Sequence, residues 1–417
     1  MRSLSFTLTL ALSLACMGCG ACADHRLPGG DPSGAPPTQV VARELRGCGT
    51  LGFVDPGTLG GSQTPRDGLS RAQPALPHAI AGNRWAQIVE IPSLGGRQVF
   101  IEDINDDGVA VGGETTAEGN MHAIRYTDLG GVQDMSGLAG FGAQSYASAI
   151  ASDGAIGGHA DRSDGTSVFF GHRYTAKGGR SEICAGSCSV WDLNARGQVV
   201  GLLPGRDPTT WQAFFYTPEA GLRTLGTLGG ARSSASGISE AGVVVGNAQL
   251  AGAAKEDLGH AFIYDTRDAN PRLRDLNAVV DASGWILQAA NDVNESFIVG
   301  YGLRGGDSRR AFRIDIASGK VHDLGTIPGG GNSFGWGVDI YGDVVGWAED
   351  ATDHNNAFVY SAGLGGLRRL GDLIDPALGW QLVQANSVNA HGMIVGWGYH
   401  NGAPRGFKLA LPVCVAQ

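Results

Sequence analysis

The run best spaced for chemistry is Asp103-Ile104-Asn105-Asp106-Asp107-Gly108, with Glu114 following. Oxygen-bearing side chains at alternate positions, a glycine for the sharp turn and a closing glutamate match the pattern of a calcium loop. Asp103, Asn105, Asp107 and Glu114 are therefore the candidate metal ligands, with calcium as the cation. The flanks are β-prone rather than helical, so an acidic hairpin turn is the competing reading of the same residues. A second group is polar and aromatic. Tyr301, Trp347, Glu349, Asp353, His354, Trp397, Tyr399 and His400, with Asp307 and Arg309, fall in or beside three variable loops. Aromatic faces beside hydrogen-bonding groups suit stacking on a sugar or docking of a protein. The alternative for Trp347 and Trp397 is packing inside the fold.

Catalytic signatures are missing from the chain. Gly237-Ile238-Ser239-Glu240-Ala241 lacks the last glycine of a nucleophile elbow, and Gly319-Lys320-Val321 lacks the hydroxyl residue of a phosphate loop. His122 and His260 sit in a repeated motif, where a packed or hydrogen-bonding role competes with metal ligation. Carboxylates are numerous enough for a glycosidase pair, but spacing does not select two of them.

The elements that position these residues form an internal repeat. One unit runs Leu225-Gly226-Thr227-Leu228-Gly229-Gly230, then Ala235 to Gly242, then Val243-Val244-Val245-Gly246, then His260-Ala261-Phe262, then Leu273 to Asn277. Short β-prone runs separated by Gly, Asn and Asp read as four strands, a to d. The b element recurs at Gly112, Gly157, Gly201, Gly246, Gly300, Gly346 and Gly396, spaced by roughly 43 to 54 residues, the range of propeller blades. One small sheet cannot bury a face alone, so the copies must stack.

The Leu-Gly-Gly, Val-Val-Gly and His-Ala-Phe elements resemble those of the bacterial extracellular HAF-repeat proteins over about Trp85 to Pro412. That resemblance implies a β-propeller outside the cytoplasm and supplies no settled activity. Kelch and WD-type repeats fit less well, because Trp191-Asp192 is the sole WD-like pair.

The ends of the repeat region complement each other. Trp85 to Ile91 reads as a lone d strand, whereas Ala385 to Leu411 supplies a, b and c without d. The expected architecture is thus all-β: a seven-bladed propeller over 85–412, closed by pairing the N-terminal d strand with the C-terminal strands. The a–b turns, such as Asn105 to Gly108 and Asn389 to Gly392, suit type I turns that end in a left-handed glycine.

Residues 1–23 read as an export signal, with Arg2, an apolar run and Ala21-Cys22-Ala23 as the cleavage site. Leu12 to Cys16 also resembles a lipobox, which would make Cys16 a lipidated N-terminus. Both readings place the mature chain outside the cytoplasm, secreted, periplasmic or at the cell surface, with no transmembrane helix left after cleavage. Residues 24–84 are rich in Pro and Gly and read as a disordered tether, and 413–417 as a tail. In that compartment cysteines pair. Cys184–Cys188 and Cys48–Cys414 are the expected disulfides, the first replacing a tight d–a turn and the second latching the tether to the chain end.

A net charge of −10 with scarce lysine excludes nucleic acid as a partner. The function expected is a non-catalytic binding or scaffolding ring that presents loops to a glycan or an extracytoplasmic protein. The alternative is a polysaccharide hydrolase or lyase that uses carboxylates on the loop face.

Overall fold

The computed structural model describes residues 85–411 except 137–142, 162–169, 185, 206, 208–209, 255–256, 258 and 307. These all belong to one compact unit, Arg71–Pro412. The expected Cys48–Cys414 disulfide, Cys16, Asp307 and the tether lie outside the described residues.

Among the described residues, twenty-eight strands make seven four-stranded antiparallel sheets. Blade 1 holds β2 (Gln98–Ile104), β3 (Ala110–Thr115), β4 (Met121–Thr127) and β5 (Gly131–Asp134). Blades 2 to 6 follow in chain order, with a strands β6 (Ser145–Ile150), β10 (Ser189–Leu193), β14 (Gly229–Ile238), β18 (Trp285–Val293) and β22 (Ser333–Val338). Blade 7 combines β26 (Trp380–Val388), β27 (Met393–His400) and β28 (Ala403–Ala410) with β1 (Gln87–Glu90) from the start of the domain. β1 pairs antiparallel with β28, Gln87 opposite Ala410 and Glu90 opposite Phe407, so the ring closes as the complementary ends require.

The repeated residues have direct structural reasons. The b-strand glycine sits where strand a presses closest: a Cβ on Gly112, Gly246, Gly300 or Gly346 would lie 2.0 Å from the facing a-strand carbonyl oxygen. Opposite that glycine, on strand c, lies the ring of the His-Ala-Phe element; Phe262 pairs with Gly246, Phe312 with Gly300 and Phe358 with Gly346. These phenylalanines are fully buried, filling the space the missing side chain leaves. The motif histidine ties strand c to strand d, His122 Nδ1 to Asp134 Oδ2 at 2.9 Å and His260 Nδ1 to Asp275 Oδ2 at 2.7 Å.

The apolar core lies between blades. One cluster joins Met393 and Val395 of blade 7 to Ile101, Ile104 and Ile124 of blade 1. The a–b turns carry glycines at positive φ, including Gly108, Gly197, Gly342 and Gly392. One expectation is corrected: the d strand of blade 4 is only Arg274–Asp275. Asp275 caps the amide of Asn277 and turns the chain into a short helix, Leu276–Val279. Among the described residues no helix is long and apolar enough to cross a membrane.

Candidate functional site

The loop residues singled out by sequence separate into distinct environments. Trp347 is buried and stacks on Phe334 at 4.1 Å, while fully buried Tyr301 meets the same ring edge-on at 4.8 Å. Both therefore pack the interface between blades 5 and 6. Glu349 accepts Asn332 Nδ2 at 2.7 Å, anchoring the d–a connection. Asp353 closes the b–c turn at φ 60, and His354 Nδ1 lies 2.7 Å from Thr352 Oγ1. A hydrogen bond from Thr352 holds the neighbouring Asp350 carboxyl well below its ordinary value.

Trp397 occupies the repeat position of Trp347 but is only half-buried. It packs edge-on against Phe100 of blade 1 at 5.4 Å and against Tyr399 at 6.1 Å. Tyr399 is 37% exposed, so this seam between the last and first blades presents an aromatic surface. Beside it His400 lies parallel to Trp380 at 4.5 Å and bonds Glu90, which also pairs with Arg405 Nε at 3.2 Å.

The calcium-pattern residues are spread along one hairpin. Asp103 stands opposite Val111 near the turn, whereas Glu114 stands opposite Val99 at the far end. Glu114 is buried and accepts Ser93 Oγ at 2.6 Å, Gly96 N at 2.7 Å and Leu94 N at 2.9 Å, fixing the opening Leu-Gly-Gly loop. It borders a cavity of about 290 Å³ with Glu118, His122 and Asp134. Asn105 braces its own turn, accepting Val109 N at 3.1 Å, and Asp107 is exposed. The hairpin thus does not bring the four groups together. Cys184 and Cys188 are joined as a disulfide in the connection from blade 2 to blade 3.

A further set of residues was not visible as a site in the sequence. Each a strand packs on the next around a closed ring, so the a strands line the axis. In every blade the a–b register slips by one residue at the same place, leaving Glu102, Ser148, Trp191, Ser236, Asn291, Trp336 and Asn386 unpaired. A bulge leaves its extra residue out of the ladder, and here the side chains of Glu102, Asn291 and Asn386 reach across to the next blade. All seven are half-buried although they sit on the innermost strand.

This neck is cross-braced. Asn291 Nδ2 donates to Gly335 O at 2.7 Å, and Asn386 Nδ2 to Ile101 O at 2.8 Å and Glu102 Oε2 at 3.2 Å. The Tyr146 hydroxyl donates to Glu102. Burial raises the Glu102 carboxyl, and burial with the nearby Glu102 charge raises the Tyr146 phenol well above its ordinary value.

One residue further on, blades 1, 3 and 5 carry aspartate and blade 7 carries Ser387. Asp103, Asp192 and Asp292 each accept the next amide of their own strand, and each also accepts an amide of the following blade: Ile150 at 2.8 Å, Ile238 at 2.7 Å and Val338 at 2.9 Å. The turn asparagines repeat the pattern, Asn194 Nδ2 reaching Ser239 O at 3.0 Å and Asn294 Nδ2 reaching Asp339 O at 2.8 Å. Burial pushes Asp292 up to about 6; burial, then the charges of Asp103 and Asp292, pushes Asp192 well above its ordinary value. The signal was present as Asp-x-Asn at 103, 192 and 292 against Ala-x-Ala, Gly-x-Ser and Gly-x-Asp in the intervening blades, a period of two blades rather than one.

The fold defines the chain as a seven-bladed β-propeller. No family model and no curated protein matches it. Among solved structures it is similar to the β-propeller domain of the trilobed protease from Pyrococcus furiosus, at 13% identity over 67% of this chain and 86% of that one, TM-score 0.47. An oligogalacturonate lyase from Vibrio parahaemolyticus is similar at 10% identity over 78% and 94% of the two chains, TM-score 0.48. An acylaminoacyl peptidase from Pyrococcus horikoshii is similar at 12% identity over 74% of this chain and 50% of that one, TM-score 0.46.

Proposed function

We propose that the protein is an extracytoplasmic binding ring whose b–c face recognises a glycan, without turning it over. The observation that carries this reading is the aromatic seam of Phe100, Trp397 and Tyr399, partly open to solvent beside the Glu90, His400 and Arg405 cluster. Sugar rings stack on such faces through their C–H groups while adjacent polar groups take the hydroxyls. Further support comes from how the rim carboxylates are used. Glu349 and Glu90 are each engaged by neighbouring side chains, and among the described residues no hydrogen bond or ion pair joins His400 to Glu349, Asp353 or His354.

The test is a glycan array with the purified chain, followed by turnover assays on every hit. Trp397→Ala with Tyr399→Ala is expected to lower affinity for the hit by at least about tenfold in a folded protein. Unchanged affinity would move the site elsewhere, product release would replace binding with catalysis, and capture of a protein instead of a glycan would change the ligand class.

A further inference from the structure

We infer that the cavity on blade 1 is the specificity subsite of the glycan face and takes the ammonium group of a 2-amino-2-deoxy sugar. This rests on the glycan reading above and names its sugar class. Three observations carry it. The first is the space itself: about 290 Å³ bounded by Leu94 and Gly96 of the d–a connection, Glu114 and Glu118 about the b–c loop, and His122 and Asp134. That is the low end of the range for ligand pockets, about 300 Å³, and suits one ring. The second is charge. Three of the lining side chains are carboxylates, and among the described residues no lysine or arginine lines the cavity. The third is place. Gly96 precedes Arg97, whose carbonyl oxygen accepts Arg405 Nη1 at 2.8 Å, and Glu114 pairs with Val99, the neighbour of Phe100 in the aromatic seam.

The wall is set in advance for a cation. Glu114 is fixed by Ser93 Oγ and the amides of Leu94 and Gly96, all neutral donors, so no cation stands against it there. Asp134 Oδ1 accepts Ser136 Oγ at 2.5 Å and Ser136 N at 2.8 Å, while Oδ2 faces His122 Nδ1 at 2.9 Å. With its proton on Nδ1, the imidazole keeps a lone pair on Nε2. Against the burial that raises it, the bonds from Ser136 and His122 hold the Asp134 carboxyl below its ordinary value. Its own amide, then Thr116, lowers exposed Glu118 likewise. Both carboxylates are therefore charged at neutral pH. An ammonium brings three donors and a positive charge, and charge-assisted bonds are about twice as strong as neutral ones. A neutral sugar would leave the charges unmatched, and a uronate would be repelled. N-acetylation removes the matching charge.

The experiment titrates the full chain by calorimetry with three β-1,4-linked tetramers, of glucosamine, N-acetylglucosamine and glucose. The amino tetramer is expected to bind at least about tenfold tighter than the other two, a preference that shrinks as salt is added. Glu118→Gln, at an exposed position, and Asp134→Asn should each cut that preference about fivefold. Glu219→Gln, in an exposed c–d turn on the opposite face, should leave it unchanged. Trp397→Ala with Tyr399→Ala should weaken all three tetramers. Equal affinity for the three, lost in the seam variant, would overturn the cavity subsite and leave the seam reading standing. An amino preference that survives in folded Glu118→Gln and Asp134→Asn, or falls equally in Glu219→Gln, also overturns the cavity. A calcium isotherm abolished by Glu118→Gln would assign the cavity to a metal instead. Cavity-dependent binding that ignores the seam variant would keep the subsite and overturn the seam, and no binding of any tetramer overturns both.

Discussion

Ser387 Oγ of the last blade donates to Asp103 Oδ1 of the first at 2.7 Å. At the same position the other odd-numbered blades carry Asp103, Asp192 and Asp292, each bridging to an amide of the next blade. A ring of seven cannot alternate all the way round, so two blades of the same kind meet once, and they meet at this seam. The amide that an aspartate at 387 would seek, Ile104 N, is already held by Asp103 at 2.8 Å. A hydroxyl donor solves the conflict, because it gives a proton to the carboxylate instead of opposing it.

Ser387→Asp should therefore destabilise the propeller by about 2–4 kcal/mol near neutral pH, as two carboxylates share one poorly solvated place. The cost should shrink on acidification, since one of the pair then keeps its proton. Urea unfolding midpoints of both proteins across pH check this. A variant as stable as the parent at neutral pH would refute the alternation argument.

Asp292 titrates in the folded state at about 6, raised chiefly by burial, against about 3.9 in an unfolded chain. A raised folded value means that the fold is favoured with the proton on. The contribution is complete below about pH 4 and is lost as pH rises through about 6. Relative to the non-titrating Asp292→Asn, wild-type stability should fall by about 2 kcal/mol between about pH 4 and 7 and stay level above that. Parallel pH profiles of the two proteins would reject the shift.

Trp347 and Trp397 share a repeat position but should behave differently. Removing buried Trp347, which stacks on Phe334, should cost about 3–5 kcal/mol. Half-buried Trp397 should cost clearly less, its loss appearing in ligand affinity instead. Thermal unfolding of the two alanine variants separates them, and equal destabilisation would place Trp397 in the core as well.

Closure depends on β1. Deleting residues 85–96 removes the partner of β28 from Phe407 to Ala410 and bares a sheet edge. The truncated chain should elute as aggregate in size-exclusion chromatography. A soluble monomer with the parent's far-UV spectrum would show that the ring does not need this strand.

The sequence by itself determined the blade count, the strand order within each blade and the closure. All three follow from local periodicity: Val-Val-Gly, His-Ala-Phe and the glycine turns recur because each blade solves the same packing problem. It also marked Cys184 and Cys188 as a pair, from the small loop between them. What it did not determine was which equivalent residues share an environment. Trp347 and Trp397 read alike in the chain, yet the ring beside each differs, Phe334 in one case and Phe100 with Tyr399 in the other. The neck residues stayed hidden for a related reason. A bulge is a slip between paired strands, so Glu102, Trp191 and Trp336 leave the ladder only when strand a meets strand b. Bracing between blades then requires residues as far apart in the chain as Glu102 and Asn386 to meet in a closed ring.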